Sequence, residues 1–153
     1  MIRIGTEKDF DIVNTLRKQV NDLHIAGEPA IFKGFTKPMQ EYLKEYFNST
    51  DKLLIVYEEN GTVCGYAMLE IIEKPERPHA YASKFLHIEE LGVAKGFRGK
   101  GIGKQLMAKI KEIAKEKGLN EVELDVWTFN DSALKFYHDL GFTTYRELLK
   151  LKV

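Results

Sequence analysis

The chain has 153 residues, of which 44% are hydrophobic and 30% are charged, a composition typical of a globular protein. Lys plus Arg and Asp plus Glu each number 23, so no net charge attracts the chain to nucleic acid or to an acidic membrane surface. The single cysteine, Cys64, excludes an internal disulfide and fits a reducing compartment. No apolar run approaches the roughly 20 residues that cross a bilayer. We expect one domain over residues 1–153, located in the cytoplasm, with no nucleic-acid or membrane partner.

The first half of the chain predicts both strands and helices. Residues 2–4 alternate in polarity and predict a short strand. Residues 9–25 place apolar side chains at helical spacing, and a second helix is predicted around residues 39–46 after a loop. Residues 53–72 form two apolar runs joined by Asn60-Gly61, which is typical of a tight β-hairpin turn.

The second half predicts two further strand–helix pairs. A strand is expected over residues 84–94, and the helix that follows it ends at Gly118. Alternating apolar residues predict a strand over 121–127, followed by a short helix over 131–140. A closing strand is expected over 143–151. The order of elements indicates a mixed α/β sheet with helices on its faces.

A glycine-rich basic stretch, FRGKGIGKQL (97–106), lies between a strand and the helix that follows. The first N–H groups of a helix have no intrahelical partner, and the helix dipole adds about half a positive charge there, so this position favours a phosphate. The spacing is not that of a P-loop, because Gly103-Lys104 is followed by Gln105, and it does not match the dinucleotide fingerprint either. It reads R-x-x-G-x-G from Arg98 to Gly103.

The segment ELGVAKGFRGKGIGKQLM (90–107) resembles the acyl-CoA pyrophosphate motif of the GNAT N-acetyltransferase superfamily. The second motif of that superfamily follows at its usual distance, in LDVWTFNDSALKFYHDLGF (124–142), and the order of elements also matches. The resemblance implies an α/β (α+β) fold with a mixed, mostly antiparallel central sheet, a splayed parallel pair of strands and helices on both faces. It implies an N-acetyltransferase that uses acetyl-CoA as co-substrate. No residue pattern indicates a metal site.

The resemblance assigns the coenzyme to two parts of the chain. Backbone groups of Leu91, Gly92 and Val93 would bind the pantetheine arm, and a glycine in this strand predicts a bulge or a close approach. Asn130 would contact the pantetheine or pyrophosphate region as well as cap its helix. The pyrophosphate would lie against the loop residues Arg98, Gly99, Lys100, Gly101, Ile102, Gly103 and Lys104.

Acetyl transfer to an amine needs an acid and a base. Tyr137 matches the general-acid tyrosine of the family, which contacts the coenzyme and protonates the leaving thiolate. A lysine-like amine, with a pKa of about 10.4, must lose a proton before it attacks. His87 and Glu89 share a face of one strand, and Asp125 lies on the next strand. We prefer Glu89 as the base, because burial would raise its pKa, and His87 second; Glu90 is expected on the opposite face.

The acceptor is expected to be an amine, either a small molecule or a peptide. Its binding site is expected between the early helices and the hairpin, with GEPAIF (27–32) together with Phe35, and the loop over residues 75–83, as walls. The sequence leaves open the acceptor, the base (one of the three residues or water alone), the preferred acyl chain and whether the chain forms a homodimer. Two alternative functions are a non-catalytic acyl-CoA-binding or sensor module and a nucleotide-phosphate binder. Thiol release from acetyl-CoA in the presence of an amine distinguishes the enzyme from both.

Overall fold

The computed structural model describes residues 1–153 as a five-stranded sheet with four α-helices. Three short 3₁₀ helices precede α1, follow α2 and follow β4. The order confirms the elements predicted up to residue 140. In chain order, the elements are β1 (Ile2–Ile4), α1 (Phe10–Gly27), α2 (Lys37–Tyr42), β2 (Lys52–Glu59), β3 (Thr62–Lys74), β4 (Ser83–Val93), α3 (Ile102–Glu116), β5 (Val122–Glu123) and α4 (Asp131–Asp139).

The strands follow the order β1-β2-β3-β4-β5, with antiparallel pairing from β1 to β4 and parallel pairing between β4 and β5. The predicted hairpin turn is present at Asn60-Gly61, where both residues have positive φ angles, 51° and 77°. The β4–β5 pairing ends at His87 and Glu123, so the two strands separate beyond that point. The mixed, mostly antiparallel sheet with a splayed parallel pair is therefore confirmed.

Strand β4 has one residue more than its partner β3 over the same length. Ile88 pairs with Leu69 and Glu90 pairs with Met68, so Glu89 between them forms a β-bulge. Side chains before and after the bulge alternate in opposite phase. The bulge therefore decides which face of the sheet each later residue of β4 occupies.

Gly92 lies in the regular part of β4, beyond the bulge, and pairs with Tyr66. A Cβ atom at this position would lie 2.6 Å from Cε1 of Tyr66 and 3.0 Å from Cγ2 of Val20. The sequence predicted either a bulge or a close approach at Gly92. The structure shows a close approach of the Tyr66 and Val20 side chains at Gly92, and it shows the bulge at Glu89 instead.

Helices cover both faces of the sheet and create two hydrophobic cores. The α3-side core contains Leu106 and Ile110 with the wholly buried Cys64 from β3. The α1-side core contains Val13 and Leu16 with side chains from β2 and β3. None of the helices has the length and apolarity needed to span a membrane.

The end of the chain differs from its prediction. The predicted strand over 121–127 shrinks to Val122–Glu123, because β4 diverges and leaves residues 124–127 without a neighbouring strand. The predicted closing strand over 143–151 was wrong. The backbone of residues 143–153 pairs with no strand and makes no hydrogen bond to the rest of the protein, although the hydroxyl of Tyr145 donates to the carboxylate of Glu123 on β5. A pattern with β-propensity does not form a strand without a partner.

Candidate active site

The turn between β4 and α3 is an open cradle of backbone N–H groups. Gly99 and Gly101 have φ angles of 78° and 80°, in the left-handed region that favours glycine. A Cβ atom at either glycine would meet nothing within 4 Å, so no side chain fills the cradle. Four consecutive N–H groups here donate no hydrogen bond to the protein: those of Gly101, Ile102, Gly103 and Lys104. Free N–H groups at the start of a 15-residue helix fit a phosphate group.

Basic side chains surround this cradle. Arg98 donates from Nε to the backbone oxygen of Val93 at 3.1 Å, and Nζ of Lys100 lies 4.8 Å from the centre of the Phe97 ring. Neither of these basic residues, nor Lys104, forms an ion pair with a carboxylate of the protein. Their positive charge is therefore available to an anion.

Beside the cradle, β4 has a free edge. Residues 88–93 pair with β3 on one side and have no strand on the other, because the β4–β5 pairing has already ended. Leu91 and Val93 pack against the α3-side core. An extended ligand can add to such an edge through backbone hydrogen bonds. Across the chain, Asn130 caps α4 as predicted, since its Oδ1 accepts from the backbone N–H of Ala133 at 3.3 Å.

Tyr137 on α4 packs between two aromatic rings at the α3-side core. Its ring centre lies 5.2 Å from that of Phe136 and 5.5 Å from that of Phe142. Burial raises the pKa of Tyr137 to about 12; its hydroxyl makes no hydrogen bond within the protein and reaches solvent, since every buried side-chain N or O atom has a partner. The pKa of Tyr66, raised mainly by burial, is also raised by the proximity of Tyr137. Tyr137 is therefore a neutral phenol whose hydroxyl is available to donate a proton. It lies near Tyr66, the residue of β3 that pairs with Gly92 of β4.

His87 and Glu89 form a pair at the bulge, with Nε2 and Oε2 3.5 Å apart. The pKa of His87 is raised, chiefly by the hydrogen bond that it donates to Glu89 and then, against the effect of burial, by the charges of Glu89, Asp125 and Glu70. The pKa of Glu89 is lowered by His87. The expectation that burial raises the pKa of Glu89 was wrong, because the bulge leaves this side chain 38% exposed and next to a cationic partner.

Carboxylates surround His87 on the same face of the sheet. The strand register places Glu70 on one side of it and Glu123 on the other. Asp125, two residues further along the chain, is exposed and lies close enough for its charge to raise the pKa of His87. The surface around the imidazole therefore attracts cations.

A buried ion pair lies next to the bulge. Arg17 on α1 donates from Nε and Nη2 to the two carboxylate oxygens of Glu90, at 2.9 and 3.0 Å, and its side chain is only 2% exposed. Glu90 also accepts from the hydroxyl of Tyr66 at 3.1 Å. Arg17 further donates to Oδ1 of Asn14 at 2.9 Å. The expectation that Glu90 faces away from Glu89 was wrong, because the bulge turns both side chains toward the α1 side.

Sequence reasoning missed this ion pair, although a signal was present. Val13, Leu16, Arg17 and Val20 follow the spacing of one helical stripe, so a positive charge stands within the apolar face of α1. A charge on an apolar stripe is rarely buried unless it has a partner. The charge on this stripe therefore indicates a buried acidic partner, for which Glu89 and Glu90 on β4 are candidates in the sequence.

The loop between α1 and α2 is held by aromatic contacts that the sequence analysis also missed. The Phe32 ring stacks on His24 at 5.0 Å and meets Trp127 edge-on at 5.0 Å. The guanidinium of Arg17 lies 5.4 Å from the ring centre of Phe35. This loop, predicted as an acceptor wall, therefore contacts the segment after β5 and the buried ion pair. The other predicted wall, residues 75–83, lies at the far tip of the β3–β4 hairpin.

Comparisons with known proteins agree with this geometry. The N-alpha-acetyltransferase 30 of Schizosaccharomyces pombe is 26% identical over 121 residues, which are 78% of this chain and 77% of that protein. The streptothricin acetyltransferase of Streptomyces lavendulae is 42% identical over 95 residues, 62% of this chain and 46% of that protein. A crystal structure of a tetramutant of the BH1408 protein from Bacillus halodurans superposes with a TM-score of 0.94 at 26% identity, covering 100% of this chain and 99% of that one.

The fold and these relatives define an acetyl-CoA-dependent acetyltransferase. The chain belongs to the Acetyltransferase (GNAT) family, whose sequence profile matches residues 18–142. An aminoglycoside N-acetyltransferase crystallised in complex with CoA shares the fold, with a TM-score of 0.75 at 21% identity over 100% of this chain and 93% of that one. The structure contains no group of three or more His, Cys, Asp or Glu side chains arranged to hold a metal ion.

Proposed function

We propose that this protein transfers the acetyl group of acetyl-CoA to a primary amine by direct attack within a ternary complex. The observation that carries the proposal is the free N–H groups of residues 101–104, next to the free edge of β4. A diphosphate held by these groups, with its pantetheine arm along residues 91–93, would extend the thioester toward Tyr137 and the His87–Glu89 pair.

In this proposal, two side chains move protons. His87 accepts a proton from the attacking amine, directly or through a water molecule, and Glu89 keeps the imidazole basic by raising its pKa. As the amine nitrogen bonds to the acetyl carbon and the carbon–sulfur bond breaks, Tyr137 donates its proton to the leaving sulfur. Cys64 is wholly buried, so it does not serve as a covalent acetyl carrier. His87, rather than Glu89, is the proposed base because the pKa of His87 is raised and the pKa of Glu89 is lowered.

The charges around His87 favour an acceptor that is a cation in solution. Glu70, Glu89 and Asp125 all act on this imidazole, and they would attract an ammonium group before it loses its proton. The relatives are named for different acceptors, one as an N-alpha-acetyltransferase and another as a streptothricin acetyltransferase. A panel of acceptors that measures thiol release from acetyl-CoA should therefore include both peptides and small polyamines. If no amine in the panel releases thiol above the background rate, the proposed reaction is wrong.

A matched pair of glycine substitutions tests the coenzyme site. Gly101 and Gly118 stand at opposite ends of α3, with φ angles of 80° and 69°, and a Cβ at either meets nothing within 4 Å. Gly101→Glu and Gly118→Glu therefore impose similar backbone strain, of about 1–3 kcal/mol. Only Gly101→Glu adds a negative charge to the proposed phosphate site. We expect it to weaken CoA binding by about 100-fold, or about 2.8 kcal/mol, in isothermal titration calorimetry.

The Gly118→Glu variant is the control for strain. We expect it to bind CoA within a few-fold of the unmodified protein, while both variants lose similar stability in thermal unfolding. Equal CoA affinity in the two variants would remove the turn before α3 from the coenzyme site.

A further inference from the structure

Three buried polar side chains form a stripe along α1: Asn14, Arg17 and Asn21. Each donates a side-chain N–H to a backbone carbonyl of the segment that follows this helix: Asn14 to Gln40 at 3.3 Å, Arg17 to Met39 at 2.6 Å and Asn21 to Lys33 at 3.1 Å. Because backbone carbonyls accept these bonds, α1 fixes the path of residues 33–40 without using the side chains of that segment.

Of these three side chains, only Arg17 also bonds to the sheet. Its guanidinium contacts the Met39 carbonyl and the Phe35 ring on one side, and both carboxylate oxygens of Glu90 on the other. Glu90 directly follows the bulge residue Glu89 on β4. The guanidinium is a rigid planar group with several fixed donors, so it sets the distance between the segment after α1 and the bulge.

The loop between α1 and α2, residues 28–36, also contacts the chain beyond β5. The Phe32 ring meets Trp127 edge-on at 5.0 Å. Gly27, just before the loop, leaves room for the Phe129 ring, which a Cβ atom at this position would overlap. The loop therefore lies against β4 at one end and against residues 127–129 at the other. It bridges the gap that opens where β4 and β5 separate, beyond His87.

We propose that Arg17 is a positioning residue for the amine acceptor, because it holds the loop over residues 28–36 at a fixed distance from the bulge of β4. This inference rests on the proposed function, since it assigns the loop to the acceptor of the acetyl transfer. The proposed coenzyme site, at the turn before α3 and the free edge of β4, does not include this loop. Loosening the loop therefore weakens binding of the amine and leaves binding of CoA in place.

The variant Arg17→Lys tests this role without leaving a buried carboxylate unpaired. Lysine keeps a positive charge for Glu90, but its single ammonium cannot contact the carboxylate, the Met39 carbonyl and the Phe35 ring together. The kinetic probe is the peptide or polyamine of the acceptor panel that releases thiol fastest from acetyl-CoA. We expect the KM for this amine to rise by about 10-fold while kcat changes by about threefold or less. The Kd for CoA in isothermal titration calorimetry should stay within about twofold.

A second readout needs neither substrate nor turnover. Trp127 is the only tryptophan of the chain, and it contacts Phe32 of the loop, so its fluorescence reports on the position of the loop. We expect the acrylamide quenching constant of Trp127 to rise by about twofold in Arg17→Lys, because a loosened loop exposes the indole.

The control for lost stability is Ile113→Ala, which opens a cavity in the α3-side core on the opposite face of the sheet. We expect it to leave both the KM for the amine and the quenching constant unchanged. The role of Arg17 is overturned, and the proposed function stands, if the amine KM of Arg17→Lys rises no more than that of the control or no more than its Kd for CoA. Unchanged quenching in Arg17→Lys also overturns it, whatever the activity. If the unmodified protein releases thiol with no amine, the proposed function fails, and the role of Arg17 fails with it.

Discussion

On the face of the sheet that packs against α3, the buried side chains form one apolar cluster, from Ile55 on β2 to Leu119 after α3. On the face beneath α1, the chain buries four polar or charged residues, all of them on α1 or in the turn before it: Asp9, Asn14, Arg17 and Asn21. The same sheet thus supports two environments of different polarity. The α3 side buries only apolar side chains, whereas the α1 side buries polar and charged groups together with an apolar cluster.

Along β4, the side chains on one face pack in the core and those on the other face carry the charges of the candidate site. Ile88 and Leu91 bury their side chains in or against the α3-side core. Glu90, between them, is held on the other side by Arg17 and Tyr66. One strand therefore contributes to the core on one face and to the candidate active site on the other.

The largest expected effect tests the hydroxyl that the apolar face contributes. Tyr137 packs with that face, yet its hydroxyl has no partner in the protein. We expect Tyr137→Phe to lower kcat by about 100-fold or more and CoA affinity by much less, because the phenyl ring keeps the packing and loses the proton. Tyr81→Phe, at a side chain that is 90% exposed, is the control. An unaltered kcat for Tyr137→Phe would exclude this tyrosine as the acid.

The next effect tests the polar face. Arg17→Met removes the buried partner of Glu90, and we expect the free energy of unfolding to fall by about 2–3 kcal/mol, because a carboxylate that is only 22% exposed keeps its hydrogen bond from Tyr66 but loses its guanidinium partner. Lys18→Met, one residue along α1, breaks an exposed pair with Asp22 and should change stability by about 0.5 kcal/mol or less. Urea unfolding measures both. If the two variants lose similar free energies of unfolding, the buried Arg17–Glu90 pair contributes no more to stability than an exposed pair does.

The smallest effect is a shift with pH at the bulge. Glu89 raises the pKa of His87, so Glu89→Gln should lower that pKa and move the acid limb of the kcat/KM profile to lower pH. Glu73→Gln, which breaks an exposed pair with Lys84, should leave the profile unchanged. If the acid limb stays in place or moves to higher pH in Glu89→Gln, the imidazole is not the base.

The same pair sets a pH window for stability. The folded-state pKa of Glu89 is lowered and that of His87 is raised, so the pair stabilises the fold between those two pKa values. Its contribution is lost as the pH falls through the lowered pKa of Glu89, or rises through the raised pKa of His87. Because both side chains reach solvent, the contribution is about 1 kcal/mol or less.

Local patterns allowed most of the fold to be predicted. Asn60-Gly61 specifies its hairpin turn, and Gly101 and Gly118 mark the ends of α3, because each needs a backbone conformation that few residues adopt. The two motifs also singled out the turn before α3 as the expected pyrophosphate site and Tyr137 as the expected acid. Each of these features depends on residues that are close together in the sequence.

Features that depend on pairing between distant segments were missed. The bulge at Glu89 exists only in the register between β3 and β4, and that register decides where Glu90 points. The Arg17–Glu90 pair joins residues 73 positions apart. Strand formation over 143–151 failed for the same reason, because a strand requires a neighbour as well as a suitable sequence.

The bulge also has a consequence for how this chain tolerates change in length. Before it, His87 faces the α1 side and Ile88 faces the α3 side; after it, Glu90 and Leu91 take those places in turn. Loss of Glu89 would remove the bulge and let β4 pair with β3 without a break, with Glu90 still on the α1 side and Leu91 still on the α3 side. Loss of a residue elsewhere in the paired part of β4, with the bulge kept, would instead exchange the two faces beyond that point. The bulge therefore marks where β4 can lose a residue and keep Glu90 opposite Arg17, although His87 would then lose its acidic neighbour.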